Sequence, residues 1–259
     1  MLALLQPIFQ GDWQPYGATL ACATAVPADA QLVSTLLSDE ALLASLIRRQ
    51  AQRLDTADLR VAASWWSNTY LEALLPPLAA AATLLHHRLP AAAADMALSL
   101  DDLGQPQLFH ITSLGAALPG ADVQQRYHPL LAAHLAPLFG RLAALSGVPQ
   151  KILWGNASRF LDNLLREAAS LPGAADRVAA DRQGLLEQPC WPDGSRQPLY
   201  ARARTVHVQG GSDAAGAGGG CVTLHRQCCL YYLLPAEGYC GRCPLDPRYR
   251  SLKAAVPDA

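Results

Sequence analysis

The sequence has little charge and no excess of either sign. Charged residues make up 16% of it, with 20 Lys and Arg against 21 Asp and Glu, for a net charge of −1. A general nucleic-acid binder carries a basic excess, so no nucleic-acid partner is expected. Blocks of like charge and internal repeats are both missing. The opening stretch, Met1 to Gln10, has no Lys or Arg ahead of its apolar residues, and Pro7 interrupts it. A secretory leader needs a basic start and a longer apolar run. Leu71 to Leu85, the most apolar stretch, is too short to span a bilayer and contains Pro76 and Pro77. The expectation is a soluble, cytoplasmic protein, with peripheral membrane contact left open. There is no nucleophile elbow and no flavin or nicotinamide fingerprint, and Gly216 to Gly220 lacks the lysine of a phosphate-binding loop.

What is present is enough apolar residue, 51%, for a substantial core. At 259 residues the chain allows one large domain or two small ones. Periodicity predicts an α+β protein, predominantly α-helical. Ser38 is the expected N-cap of a helix carrying Leu42, Leu43, Leu46 and Ile47. A second helix is expected over Ala57 to Leu75, with Pro76 and Pro77 ending it or starting the next, and Leu78 to His87 reads as helix again. Met96 to Leu100 and Gln107 to Thr112 alternate around turn residues, as in a hairpin. Helices follow over Val123 to Leu145 (troubled by Pro129 and Pro137), Gln150 to Ala169, and Asp176 to Glu187.

The character changes after Pro189. Arg202 to Gln209 and Cys221 to Leu233 are strand-like, separated by the Gly- and Ala-rich stretch Gly210 to Gly220, read as a flexible loop. The expected organisation is a helical body over 1–189, a hairpin and cysteine-rich segment over 190–250, and a flexible tail over 251–259.

Seven cysteines are an odd number for a complete disulfide framework. Four of them form one motif: Cys228-Cys229, ten residues, Cys240, two residues, Cys243. In a cytosolic chain such a cluster reads as metal-binding or redox-active before it reads as disulfides. The C-x-x-C half occurs in zinc, redox and iron–sulfur sites. The adjacent pair discriminates more, because neighbouring residues on a strand point to opposite faces and a single tetrahedral zinc wants converging sulfurs. A [2Fe–2S] cluster is larger and takes four thiolates, so the pair fits it better than it fits zinc; zinc and disulfides stay as the alternatives. His225, Arg226 and Arg242 lie within or beside the motif as candidate cations for tuning the centre or contacting substrate. Cys22, Cys190 and Cys221 are expected to be buried or incidental, with Cys221 the best spare ligand. Histidines His86, His87, His128 and His134 read as structural.

Arg226-Gln227-Cys228-Cys229-Leu230-Tyr231-Tyr232, Leu234-Pro235 and Tyr239-Cys240-Gly241-Arg242-Cys243-Pro244-Leu245 resemble the C-terminal signature of the FhuF-type ferric siderophore reductases. Three weaker segments extend the resemblance. Ser64-Trp65-Trp66-Ser67-Asn68-Thr69-Tyr70 with Pro76-Pro77-Leu78 is similar to that family's aromatic helix. Leu153-Trp154-Gly155-Asn156 resembles its central motif, and Gln197-Pro198-Leu199-Tyr200 its pre-hairpin segment. The Gly210 to Gly220 loop is longer than the family's tight turn. The resemblance implies a [2Fe–2S] cluster on Cys228, Cys229, Cys240 and Cys243. It also implies one-electron reduction of Fe(III) held by a hydroxamate-type siderophore, with electrons from a separate protein or small reductant. Trp65, Trp66 and Tyr70 read as core, with Trp65 or Trp66 also a candidate lining of a siderophore pocket expected between the helical body and the cysteine-rich end, and Trp154 and Asn156 are candidate helix-opening or substrate-contacting residues. A siderophore-binding or redox-sensing protein, and a zinc-stabilised helical interaction module, are the competing readings.

Overall fold

The computed structural model describes residues 1–208, 220–250 and 252; the expected loop over Gly210–Gly220 falls almost wholly outside them, as does all but one residue of the expected tail. The protein is α+β and predominantly helical, as its periodicity predicts. The chain opens with the short helix α1 (Gln14–Gly17), strands β1 (Leu20–Cys22) and β2 (Gln31–Leu32), and helix α2 (Val33–Ser38). The two helices α3 (Glu40–Arg53) and α4 (Leu59–Leu84) come next. Asp39, not Ser38, caps α3, accepting a hydrogen bond from the Leu42 amide at 2.9 Å. Ser38 is instead the last residue of α2.

Helix α4 is the central element. It runs unbroken through Pro76 and Pro77, against the expected stop, and ends near Leu84 rather than at His87. Its flanks explain the persistence: Leu71, Leu74, Leu75, Leu78 and Ala81 are all buried, so tertiary packing outweighs the two missing amide donors. Strand β3 (His87–Arg88) follows, then β4 (Met96–Leu100), β5 (Pro106–Ile111) and β6 (Ala116–Ala117). The expected hairpin is β4–β5, antiparallel with Leu98 opposite Phe109, extended to a four-stranded sheet in the order β1-β5-β4-β2.

Helices α5 (Val123–Leu130) and α6 (Ala136–Ser146) are joined by one wide turn of π-helix at Leu131–Leu135. The prolines therefore widen the helix rather than split it. Pro137 cannot donate to the Ala133 carbonyl four residues back, and the Ala93 amide fills that role at 3.1 Å. Val123–Ser146 is long and apolar enough to cross a membrane by length and composition. Here it packs as core, burying Leu130, Leu135, Leu138, Phe139 and Leu142. Within it His134 is buried, accepting from Tyr70 Oη at 2.5 Å and donating through Nδ1 to the Ala91 carbonyl at 3.0 Å.

Helix α7 (Gln150–Ala168) lies against α4, and α8 (Ala175–Arg182) continues into a second wide turn at Gln183–Glu187. A buried Arg126–Asp181 ion pair, with Thr83 on the same carboxylate at 2.7 Å, ties α4, α5 and α8 together. The chain closes with the hairpin β7 (Thr205–Val208) and β8 (Gly220–Thr223) and the short helix α9 (Pro247–Arg250). The expected strand over Cys221–Leu233 ends at Thr223; beyond it come a loop carrying the cysteine pair and a helical turn at Tyr231–Leu233. Val206, Leu224 and Tyr249 form a small apolar cluster of their own, separate from the main core.

Candidate metal centre

The Cys228-Cys229 pair occupies the loop after β8, and Cys240 and Cys243 close a turn held by the Cys243 amide on the Cys240 carbonyl at 2.9 Å. The two halves are laced together: the His225 amide donates to the Arg242 carbonyl at 2.8 Å, and Tyr249 Oη donates to the Gly241 carbonyl at 3.0 Å. Leu230, at φ 69°, reverses the chain directly after the pair. That left-handed residue lets neighbouring cysteines serve one centre instead of opposite faces of a strand.

All four thiols are free. Cys229 lies beside Cys240, and Cys228 beside Cys243. Cys229 is pushed down to about 6 by its bond with Cys240, the Tyr231 amide and the Arg159 guanidinium. Cys228 is pushed up to about 12, chiefly by burial, and Cys240 is raised by its bond to Cys229. Cys229 is thus poised as the thiolate, the form that ligates metal. Among the described residues no three His, Cys, Asp or Glu side chains converge closely enough to hold a single metal ion. Four thiols in two pairs are a donor set that a centre of two irons could use, each iron taking two thiolates.

The loop is docked on the body by the segments that surround the resembling motifs. Ser64 Oγ donates to the Cys229 carbonyl at 2.8 Å, and Asn156 Nδ2 donates to Ser64 Oγ at 3.1 Å and Ser67 Oγ at 3.2 Å. Asn68 Nδ2 donates to Tyr231 Oη at 2.6 Å, and Trp65 stacks on the Tyr231 ring at 4.4 Å. Gly155 is a contact residue: a Cβ there would lie 2.5 Å from Gln227 Cβ, the residue before the cysteine pair. The pre-hairpin segment is pinned beside them by Ser158 Oγ on the Leu199 carbonyl at 3.0 Å.

Several expected site residues are placed elsewhere. Trp66 is fully buried, with its indole N–H on the Gly104 carbonyl at 3.1 Å, so it is core. Trp154 and Asn156 lie inside α7 rather than opening it. Trp154 packs edge-on against Phe139 at 4.9 Å, and Asn156 is buried with its amide committed to Ser64 and Ser67. Asn156 therefore positions the loop. His225 is no cation at neutral pH: burial, then Arg159 and Arg242, push it down to about 4. Cys22, Cys190 and Cys221 are exposed, not buried, and Cys221 sits on the hairpin with its sulfur 3.2 Å from His207 Nδ1.

Arg159 is the residue that sequence reasoning missed. It donates to Asn156 Oδ1 at 3.1 Å and contacts the Cys229 sulfur. It also lines a cleft of about 660 Å³ between α7 and the cysteine-bearing end, together with Arg202, Arg226, Arg242 and His225. Gly155, Arg159, Asp162 and Arg166 fall on one face of α7 at helical spacing, and that periodicity was the available signal.

Residues 64–213 match the family described as ferric iron reductase FhuF-like transporter. The chain belongs to this FhuF-like ferric iron reductase family. The match covers the Ser64–Tyr70 and Leu153–Asn156 segments and stops short of the four cysteines, whose assignment rests on the residues themselves. No curated protein sequence matches the chain. Among solved structures, the ATP-bound aerobactin synthetase IucA from a hypervirulent pathotype of Klebsiella pneumoniae is similar, at TM-score 0.54 and 15% identity, over 67% of this chain and 37% of that one. The aerobactin synthetase IucC from the same source is similar at TM-score 0.50 and 16% identity, again over 67% and 37%. The chain spans little more than a third of these synthetases, and at such identity the likeness is one of fold.

Proposed function

We propose that this FhuF-like protein is a cytoplasmic ferric-siderophore reductase that holds a [2Fe–2S] cluster on Cys228, Cys229, Cys240 and Cys243. The observation that carries the reading is the gathering of these four free thiols, in two pairs, beside an arginine-lined cleft, in a chain of the ferric iron reductase family. The cluster, when bound, supplies a one-electron carrier.

The chain's own residues do the rest. Ser64, supported by Asn156, fixes the Cys229 carbonyl, and Trp65 and Asn68 fix Tyr231, so the ligand loop is preorganised before any cofactor arrives. Arg159 places positive charge at Cys229, which favours the thiolate and a higher reduction potential. The cleft receives the ferric hydroxamate complex within reach of this centre. Ferric iron is a hard cation gripped by hydroxamate oxygens. The ferrous ion produced by one added electron is held far more weakly, and that difference releases the metal without a nucleophile or an acid–base pair. Reducing equivalents come from a separate protein or small reductant.

The test is anaerobic single turnover. Dithionite-reduced protein, freed of excess reductant, is mixed with a ferric trihydroxamate and a ferrous-specific chelator. Stoichiometric trapping of Fe(II) is expected. A protein that bleaches on reduction yet yields no Fe(II) above the buffer rate would contradict the reductase reading.

A further inference from the structure

The cleft beside the cysteines is charged far beyond the chain around it. The whole sequence carries a net charge of −1, yet six arginines line this one cleft against two carboxylates. Both carboxylates are engaged. Asp162 pairs with Arg166 at 3.0 Å and with Arg182 at 2.7 Å, and Glu187 pairs with Arg182 at 2.5 Å. Arg159, Arg202, Arg226 and Arg242 have no carboxylate partner among the described residues. Like charges crowded around a concave space repel one another and raise the local concentration of anions. A bound cluster accounts for part of this charge through Arg159, the cation that acts on the thiols. Arg202 stands exposed on the loop before β7, and Arg226 is half-buried with its guanidinium on the Ala201 carbonyl. Together with Arg242, exposed within the C-x-x-C turn, these are the arginines left to face a ligand.

We propose that this cleft selects ferric chelates of net negative charge, those carrying free carboxylates beside their hydroxamates, over neutral trihydroxamate complexes. The inference rests on the reductase reading above and adds the charge class of its substrate. A guanidinium offers a carboxylate two parallel hydrogen bonds, so arginine suits this recognition better than lysine. The cleft's 660 Å³ is the size of a small-molecule site.

The experiment is calorimetric titration of the cluster-loaded protein with gallium(III) complexes, which match ferric iron in charge and nearly in size but are not reduced. Three probes are used: the gallium complex of a citrate-based dihydroxamate, the gallium complex of a neutral trihydroxamate, and citrate alone. The anionic complex is expected to bind at least about tenfold more tightly than the neutral one, with the advantage shrinking as salt rises. Arg202→Gln, a substitution on an exposed loop, is expected to reduce the ratio of the two affinities severalfold, with iron content confirming the variant's integrity. Equal affinities without salt dependence would overturn the charge preference and leave the siderophore reading standing. Citrate alone binding as tightly as its gallium complex would overturn it as well, reducing the cleft to a general anion site. Failure of both gallium complexes to bind would remove the siderophore reading together with the inference.

Discussion

In the helical body, Leu43, Trp66, Tyr70, Leu74, Phe109, Phe139 and Leu153 belong to one continuous apolar core that every long helix enters. In the cysteine-bearing end the separate core amounts to Val206, Leu224 and Tyr249 with three partly buried neighbours. The body is held by burial, at roughly 25 cal/mol per Å² of apolar surface. The end is held by a few directed contacts, Ser64 to Cys229, Asn68 to Tyr231 and Gln227 against Gly155, and, on the proposed function, by its cofactor. The contrast teaches where function is exposed to change. Substitutions in the body act on folding, and substitutions at the seam act on the metal centre while the body stays folded.

The largest test of that contrast is Cys229→Ser. Bound iron is expected to fall to background while the helical circular dichroism signal and its melting transition persist; loss of both together would show that the two regions fold as one. Acid is the next test, and in the body it acts through His134. His134 has an ordinary value of 6.5 and is pushed down to about 4 by burial. The unfolded chain therefore takes up the proton first. Stability is complete above about pH 6.5 and falls as pH drops toward 4, by about 3 kcal/mol. Urea unfolding across that range reads the loss, and His134→Gln is expected to flatten the slope; an unchanged slope would remove the assignment.

Gly155→Ala probes the seam. The added Cβ meets Gln227 Cβ at 2.5 Å, so the cysteine loop must shift, and overpacking of this kind costs about 1–3 kcal/mol. Reduced cluster retention with an unmoved body transition is the expected result, read by iron content and thermal melting. The smallest effect is at Arg159→Gln. Removing the cation from Cys229 is expected to lower the midpoint potential by tens of millivolts, less than the roughly 59 mV that makes a tenfold change for one electron. Spectroelectrochemical titration measures it, and an unchanged potential would reduce Arg159 to a cleft residue.

The two regions also differed in how far they could be read from sequence. The cysteine motif was legible because its spacing is chemical: an adjacent pair and a C-x-x-C allow few ligand geometries. Helices α3, α7 and α8 and the β4–β5 hairpin were legible because local periodicity and tertiary burial agree there. Pro76 and Pro77 misled because the local rule against proline gives way to packing on a buried helix. Cys221–Leu233 misled because a strand-like composition cannot reveal that Leu230 turns into the left-handed region. Which of Trp65 and Trp66 enters the core, and what Asn156 bonds, could not be read from sequence because neighbouring positions on a helix point different ways. Trp65 meets Tyr231 while Trp66 enters the core, and Asn156 faces Ser64 while Trp154 faces Phe139. The lining of the cleft was illegible beyond its place between the body and the cysteine-rich end, since its walls join residues far apart in the chain.

The most direct test of the central claim is the visible and EPR spectrum of protein purified without oxygen, before and after dithionite. A red-brown protein with two irons and two sulfides per chain, bleaching on reduction to a spin-half signal that Cys229→Ser abolishes, is the predicted result. A colourless protein holding one zinc, even after anaerobic reconstitution with iron and sulfide, would contradict it.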